Sequence, residues 1–536
     1  MDAIFVPLAS ATGASLDQIK LITCLLVSYP LGSVFIRIPK ERHDLKHLFN
    51  ISVAFFYLMP MLNLWTGTLQ LLGSALGTYF LSQQIKGPSM PWIVFAFVMG
   101  HLTFNHLIRA IYGLSYETFE ITGPQMVMTM KLTTFAWNVW DGRRPADELD
   151  KWQKEKRVVQ HPPILAFLGY VFYFPGILVG PSLEFADYMK LVDGSLFKSI
   201  DQSDAKSDHS KAGRIIPKGR KRVAYRKMVM GLIYLGIFVV YGGSYTFIAS
   251  VEDWFARLNI LQRIVIYQFF GVIERTKYYA IWTLTEGASI LTGFGFTGYG
   301  PSGESRWEGA ANIQVWNIEF PPNVKVLLDS WNMRTNVWLR ECIYKRVTPK
   351  GKKPGFRSSL ITFMTSAFWH GFAGGYYLAF ATGAFAQTVG RLCRTYIRPL
   401  FLPASYVAAR GAPPPPQTFL KRAYDVIGIV NTLIVLNYMA GPFMLSTIEN
   451  CLITWSRLWW YGHFLLGGAL VFFYCGGIRM LRRIQAQRVK QAGGIPKAAV
   501  DGQIAGTGSG SATPSMSKMA APLDDLAREL ESRVEN

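Results

Sequence analysis

Met228-Val229-Met230-Gly231-Leu232-Ile233-Tyr234-Leu235-Gly236-Ile237-Phe238-Val239-Val240-Tyr241, continuing to residue 249, decides the fold class: no charge interrupts it. A bilayer core needs about 20 helical residues to cross, so the stretch reads as a membrane helix. Four other runs, 21–36, 92–112, 426–445 and 458–478, are each long enough, or nearly so, to cross that core. Less clean runs lie at 48–66, 68–82, 124–139, 163–181, 260–272, 278–292 and 359–389. Roughly ten to twelve membrane segments are expected, several of them short, broken or re-entrant. Continuous runs exclude a β-barrel, whose strands alternate over about ten residues, so the fold is all-α and polytopic. Pro30, Pro60, Pro175, Gly176, Pro181, Gly374 and Gly375 mark expected kinks, which survive at membrane depth only against protein or a water-filled cavity.

The chain has 536 residues, a net charge of +21, 50% hydrophobic and 14% aromatic residues. Its basic excess is concentrated at 211–227, 345–357 and 479–490, beside membrane runs rather than in a soluble binding module. The positive-inside rule puts such clusters in the cytosol, with phospholipid headgroups as compatible partners, and nucleic acid is not expected. The first twenty residues lack a basic n-region, so no cleaved signal peptide is expected. Cys24, Cys342, Cys393, Cys451 and Cys475 are scattered without zinc spacing and read as structural thiols. A membrane unit over 1–478 is followed by a tail, 479–536, that is first basic and cytosolic, then rich in Gly, Ala, Ser and Thr. Polar residues 189–225 and the Pro413-Pro414-Pro415-Pro416 connector separate membrane runs. No internal repeat is visible, which disfavours many secondary transporters.

Two segments carry chemistry. Read as one helix, 331–346 puts Asn332, Thr335, Asn336 and Leu339 on one face, with Trp331 and Trp338 beside it. Arg334, Arg340, Glu341, Lys345 and Arg346 fill the rest, giving an amphipathic helix whose amides either face a polar cavity or simply sit at the interface. The second segment, Ser366-Ala367-Phe368-Trp369-His370-Gly371, sets a histidine in apolar sequence followed by glycines. An ionisable side chain at membrane depth is costly and is by default a candidate functional group. His101, His106 and His463 lie in or near apolar runs and read as satisfied core residues, whereas His43, His47, His161 and His209 read as solvated. Neutral imidazole is a competent base near pH 7. No Gly-x-Ser-x-Gly elbow or neighbouring Cys–His pair supplies an obvious enzyme nucleophile. The pattern fits direct attack of a substrate hydroxyl on an activated acyl group.

Together the ordered motifs resemble the membrane-bound O-acyltransferases, in particular the branch that acylates lysophospholipids from acyl-CoA. The blocks are Met128-Thr129-Met130-Lys131-Leu132 with Asp141-Gly142; Phe174-Pro175-Gly176 through Tyr188; Arg275-Thr276-Lys277-Tyr278-Tyr279; Glu286-Gly287-Ala288; and Gly293-Phe294-Gly295-Phe296-Thr297-Gly298-Tyr299. Trp331-Asn332 with Trp338-Leu339, then Trp369-His370-Gly371 and Gly375-Tyr376-Tyr377, complete the series. Gly374 departs from the proline found there in many members of that branch.

The resemblance implies one membrane domain around a reaction chamber, in the endoplasmic reticulum membrane, acting in phospholipid synthesis or remodelling. His370 matches the family histidine and would deprotonate the lysophospholipid hydroxyl. Asn332 matches the family asparagine and would orient groups or stabilise developing charge. Asn336, Trp331, Trp338, Trp369, Tyr376 and Tyr377 are candidate substrate contacts, with Lys345 and Arg346 candidates for the phosphates of CoA. Fatty acyl-CoA enters as co-substrate; no resident cofactor, metal or covalent acyl-enzyme is expected. Competing readings are a diacylglycerol, sterol or protein acceptor within the same family, and a transporter or channel, for which His101, Asn105 and His106 would supply polar groups.

Overall fold

The computed structural model describes residues 1–113, 119–197, 216–349, 356–406 and 414–492. The sequence expectations for the tail beyond 492, for residues 201–206, and for Lys211, Arg214, Lys350, Lys352, Lys353 and Pro413 fall outside the described residues.

In chain order the principal helices are Leu16–Phe35 (α1), His43–Phe56 (α2), Trp65–Gln84 (α3), Met90–Ile111 (α4), Thr122–Gly142 (α5), Ile164–Val171 (α6), Phe185–Asp193 (α7), Arg220–Tyr241 (α8), Ile260–Thr292 (α9), Met333–Trp338 (α10), Phe356–His370 (α11), Gly374–Leu392 (α12), Phe419–Leu445 (α13), Tyr461–Phe472 (α14) and Ile478–Gln491 (α15). Among the described residues the one paired-strand element is a hairpin, Gly298–Tyr299 against Ser305–Arg306.

Five helical stretches are long and apolar enough to cross a bilayer: α1, α4, α8, α13 and the combined Tyr461–Gln491. They coincide with the five cleanest runs of the sequence. Their ends differ from it. Helix α8 begins at Arg220, within the basic cluster, and stops at Tyr241, because Gly242-Gly243 does not hold the helix. The two runs at 260–272 and 278–292 form one 33-residue helix, α9. The polar residues between them had split the hydropathy signal, but their charges are paired: Lys277 with Glu274 at 2.7 Å, and Arg275 with Glu319 at 2.7 Å. Asn259 and Gln262 cap the start of α9 reciprocally, and Gly293 ends it at φ 99°. At 1.5 Å per residue α9 is about 50 Å long.

Helices α1, α8 and α9 pack closely. The Tyr29 hydroxyl donates to the Leu284 carbonyl at 2.9 Å, and Arg220 Nη1 to the Leu291 carbonyl at 2.7 Å. A Cβ on Gly287 would lie 2.1 Å from the Tyr29 hydroxyl, so the Glu286-Gly287-Ala288 block is a packing requirement as well as a family mark.

Helix α5 is buried along nearly its whole length. Its Lys131 ammonium lies among carbonyls at the end of α6, with Val171 O at 2.8 Å and Tyr170 O at 2.5 Å. These are backbone acceptors that the helix terminus leaves open. Two histidines correct the sequence reading. His47 is buried in α2, its Nδ1 2.8 Å from the Tyr188 hydroxyl. His161 packs edge-on against Tyr79 and pairs with Ser82 at 3.0 Å. Both follow polar or charged residues in sequence, and only packing buries His47 and half-buries His161. All five cysteines are free.

Candidate active site

Segment 331–347 is helical only from Met333. Helix α10 continues through a π-helical stretch, Leu339–Tyr344, into Lys345–Val347. Asn332 is the N-cap, in the left-handed region at φ 44°, ψ 54°. Asparagine tolerates that conformation better than most residues, because its short amide bonds locally. The expected single face is therefore revised: Asn332 precedes the helix, and the π-helical stretch turns Arg340 and Glu341 inward, where they pair at 2.8 Å.

The Asn332 amide oxygen is doubly engaged. Thr335 Oγ1 donates to it at 2.8 Å and Asn312 Nδ2 at 3.2 Å. Asn312 also accepts the Arg334 N–H through its side chain at 3.0 Å and the Met333 N–H through its carbonyl at 2.9 Å. Among the described residues nothing accepts from Asn332 Nδ2, so the half-buried Asn332 presents an N–H₂ donor. Asn312, which holds this arrangement, carried no mark in the sequence.

His370 ends α11. Its ring lies against Phe443 (4.8 Å, nearly perpendicular), Phe380 (5.6 Å, stacked) and Tyr376 (5.7 Å). No group among the described residues hydrogen-bonds its imidazole, so both ring nitrogens keep their chemistry for another partner. Gly371 follows at φ 121°, a conformation that a side chain would strain. Gly375 donates to the Ser446 carbonyl at 2.7 Å, and a Cβ there would lie 2.1 Å from the Pro442 carbonyl. This close approach brings α13, with Phe443, over His370.

Helix α5 links the two segments. Trp369 Nε1 donates to the Met126 carbonyl at 3.0 Å, Thr335 Oγ1 lies 3.3 Å from Met130 Sδ, and Trp338 Nε1 donates to Thr133 Oγ1 at 2.8 Å. Residues 126, 130 and 133 repeat at i, i+4 and i+7 and so share one face of α5. The Trp338 and Trp369 rings meet at 5.6 Å. Trp338 also lines a narrow recess with Thr134, Ser182, Glu184, Arg334 and Cys342. His370 is not among its walls. Burial and the nearby Asp187 carboxylate raise the Glu184 carboxyl above the usual range.

The remaining expected contacts separate. Trp331 fills an aromatic cluster with Tyr278, Tyr279 and Trp282. Asn336 Nδ2 donates to the Leu328 carbonyl and ties α10 to the preceding turn. Lys345 is paired with Asp150 (2.6 Å) and Glu341 (2.5 Å), and Arg346 bonds both oxygens of the buried Asp141. Burial opposes ionisation of Asp150, but the Lys345 ammonium together with the Gln153 and Trp152 N–H groups holds the carboxyl below its usual range. These two cations thus anchor the motif helix. Tyr377 is half-buried on α12. No group of three or more candidate metal ligands occurs among the described residues.

Residues 108–412 match the model of the membrane-bound O-acyltransferase family. The chain belongs to that family. It is similar to the lysophospholipid acyltransferase of Schizosaccharomyces pombe, at 39% identity over 88% of this chain and 89% of the relative. It is similar also to the lysophospholipid acyltransferase of Saccharomyces cerevisiae, at 38% identity over 88% of this chain and 76% of the relative. The human membrane-bound glycerophospholipid O-acyltransferase 2 is 28% identical over 86% of this chain and 85% of its own length. The protein is thus an O-acyltransferase embedded in a membrane by several helices. The family match takes in both motif segments but ends before α13, so Phe443, which covers His370, comes from outside it.

Proposed function

We propose that this O-acyltransferase transfers a fatty acyl group from acyl-CoA to the free hydroxyl of a lysophospholipid in the endoplasmic reticulum membrane. The acceptor follows from what the yeast relatives are named for. The observation that carries the chemistry is the His370 imidazole, boxed by aromatic rings yet without a hydrogen-bond partner among the described residues.

A ring nitrogen of His370 takes the proton of the acceptor hydroxyl as its oxygen attacks the thioester carbonyl. The C–O bond forms, negative charge develops on the carbonyl oxygen, and the C–S bond breaks. The imidazolium returns the proton to the departing sulfur, giving free CoA and the diacyl phospholipid. In this reading Asn332 Nδ2, left without an acceptor among the described residues while its partner oxygen is held by Thr335 and Asn312, donates to the developing oxyanion. No enzyme nucleophile is required. The nearest thiol of the motif helix, Cys342, is pushed up to about 12 by burial and is not a thiolate near neutral pH.

Purified protein is given oleoyl-CoA with lysophosphatidylcholine, lysophosphatidylethanolamine, lysophosphatidylserine, diacylglycerol and a sterol in turn, with CoA release measured. Turnover with at least one lysophospholipid and none with the neutral acceptors is expected. Turnover confined to diacylglycerol or sterol would overturn the acceptor assignment.

A further inference from the structure

His370 lacks the side-chain partner that commonly orients a catalytic histidine, so its position must be set another way. The structure offers a specific one. Helix α11 ends at His370, which leaves its last carbonyls without partners inside the helix. The Gly371 N–H serves those of Ala367 and Phe368, at 3.2 and 3.1 Å. The carbonyl of Trp369, the peptide group directly before His370, is met by Nε2 of His106 at 3.2 Å. A carbonyl only accepts, so His106 Nε2 carries the hydrogen. The other edge of the same ring faces the residue after His370: His106 Nδ1 lies 3.3 Å from where a Cβ on Gly371 would stand. One imidazole on α4 therefore bonds the peptide group before the candidate base and faces the glycine after it.

We propose that His106 is a positioning residue for His370, fixing the Trp369–Gly371 backbone so that the His370 ring meets the acceptor hydroxyl in a reactive geometry. The ring is buried between α4 and α11, and its neighbour Asn105 bonds Gln70 and Gln125, each at 2.8 Å, which holds that part of α4 against α3 and α5. The Trp369 indole is tied separately to α5 through Met126. Loss of the His106 donor thus frees the backbone at residue 370 while α11 stays docked. Displacement of a catalytic group by about 1 Å lowers turnover by up to about a hundredfold without requiring weaker substrate binding.

This inference rests on His370 being the base, and the experiment separates the two. Full-length His106→Phe, His106→Met, His106→Gln and His370→Ala proteins are assayed with oleoyl-CoA and lysophosphatidylcholine, or whichever lysophospholipid the panel shows to be used. His106→Phe keeps a ring on Gly371, His106→Met keeps apolar volume, and both lack the donor. His106→Gln places an amide N–H near the position of Nε2. The donorless variants are expected to lose about tenfold or more in kcat with KM for both substrates within about twofold, and His106→Gln to recover most of the turnover. Either donorless variant, folded and monodisperse, with unchanged kcat overturns the proposal. So does a loss in His106→Gln equal to that in a donorless variant. Substantial turnover in His370→Ala would instead overturn the base itself, whatever the His106 variants show.

Discussion

At the residue scale, the proposed mechanism assigns proton movement to His370 and charge stabilisation to Asn332. His370→Ala is expected to lower turnover by about a hundred- to ten-thousandfold, the range for removal of a general base. Size-exclusion chromatography checks that the variant remains monodisperse, and residual turnover within tenfold of the parent would remove His370 from this role. Asn332 needs a two-variant test because its backbone is left-handed. Alanine there adds backbone strain of about 1–2 kcal/mol, whereas glycine does not. Asn332→Gly is therefore the cleaner removal of the amide, and a loss of about a hundred- to a thousandfold in kcat is expected. Asn332→Ala should match it in kcat while melting at a lower temperature. Cys342→Ala should keep turnover within a few-fold, since the thiol is buried and protonated. An acyl adduct on Cys342 found by mass spectrometry after rapid quench would contradict direct transfer.

At the element scale, glycines decide which helices touch. Gly287 on α9 meets the Tyr29 hydroxyl and the Ala224 carbonyl, so Gly287→Ala overpacks the contact with α1 and α8 and should destabilise by about 1–3 kcal/mol. Gly236 on α8 has nothing within 4 Å of a built Cβ, and Gly236→Ala is expected to be neutral or slightly stabilising. Thermal unfolding in one detergent compares the pair, and equal melting temperatures would show that the α1–α9 contact yields. The motif helix shows why charge alone misleads. Lys345 and Arg346 look like phosphate ligands in the sequence, yet both face carboxylates supplied by distant segments, Asp150 and Asp141. Removing Asp141 strands the buried Arg346 guanidinium, at a cost of about 3–5 kcal/mol, whereas Asp141 without Arg346 would still have Arg144 Nη1 at 3.4 Å.

At the scale of the whole molecule, the orientation in the membrane follows from the placement of cations. Arg220, Lys221, Arg222, Arg226 and Lys227 open α8, and Arg479, Arg482, Arg483, Arg488 and Lys490 populate α15. The positive-inside bias puts both on the cytosolic side. Single cysteines at Lys221 and Lys490, in a protein whose native cysteines are replaced, should react with an impermeant maleimide in sealed microsomes. A requirement for detergent at either site would overturn this topology.

Sequence alone was enough for the membrane setting and the helical class, and it marked two candidate segments for the chemistry. Each depends on local information: uninterrupted apolar runs have one physical solution in lipid, and His370 is conspicuous because of its immediate neighbours. What the tertiary structure decided are matters of pairing between distant residues. The polar break at 273–277 interrupts hydropathy but not α9, because Glu319 arrives from another segment to meet Arg275. His47 looked solvated until Tyr188 and α6 enclosed it. Asn312 and Phe443 carry no local mark and His106 reads from the sequence as a satisfied core residue; each acquires its part only where the fold sets it against Asn332 or the Trp369–Gly371 turn. A hydropathy run is a property of neighbours along the chain, whereas the hydrogen bonds and ring contacts around a catalytic group form between segments that only folding brings together.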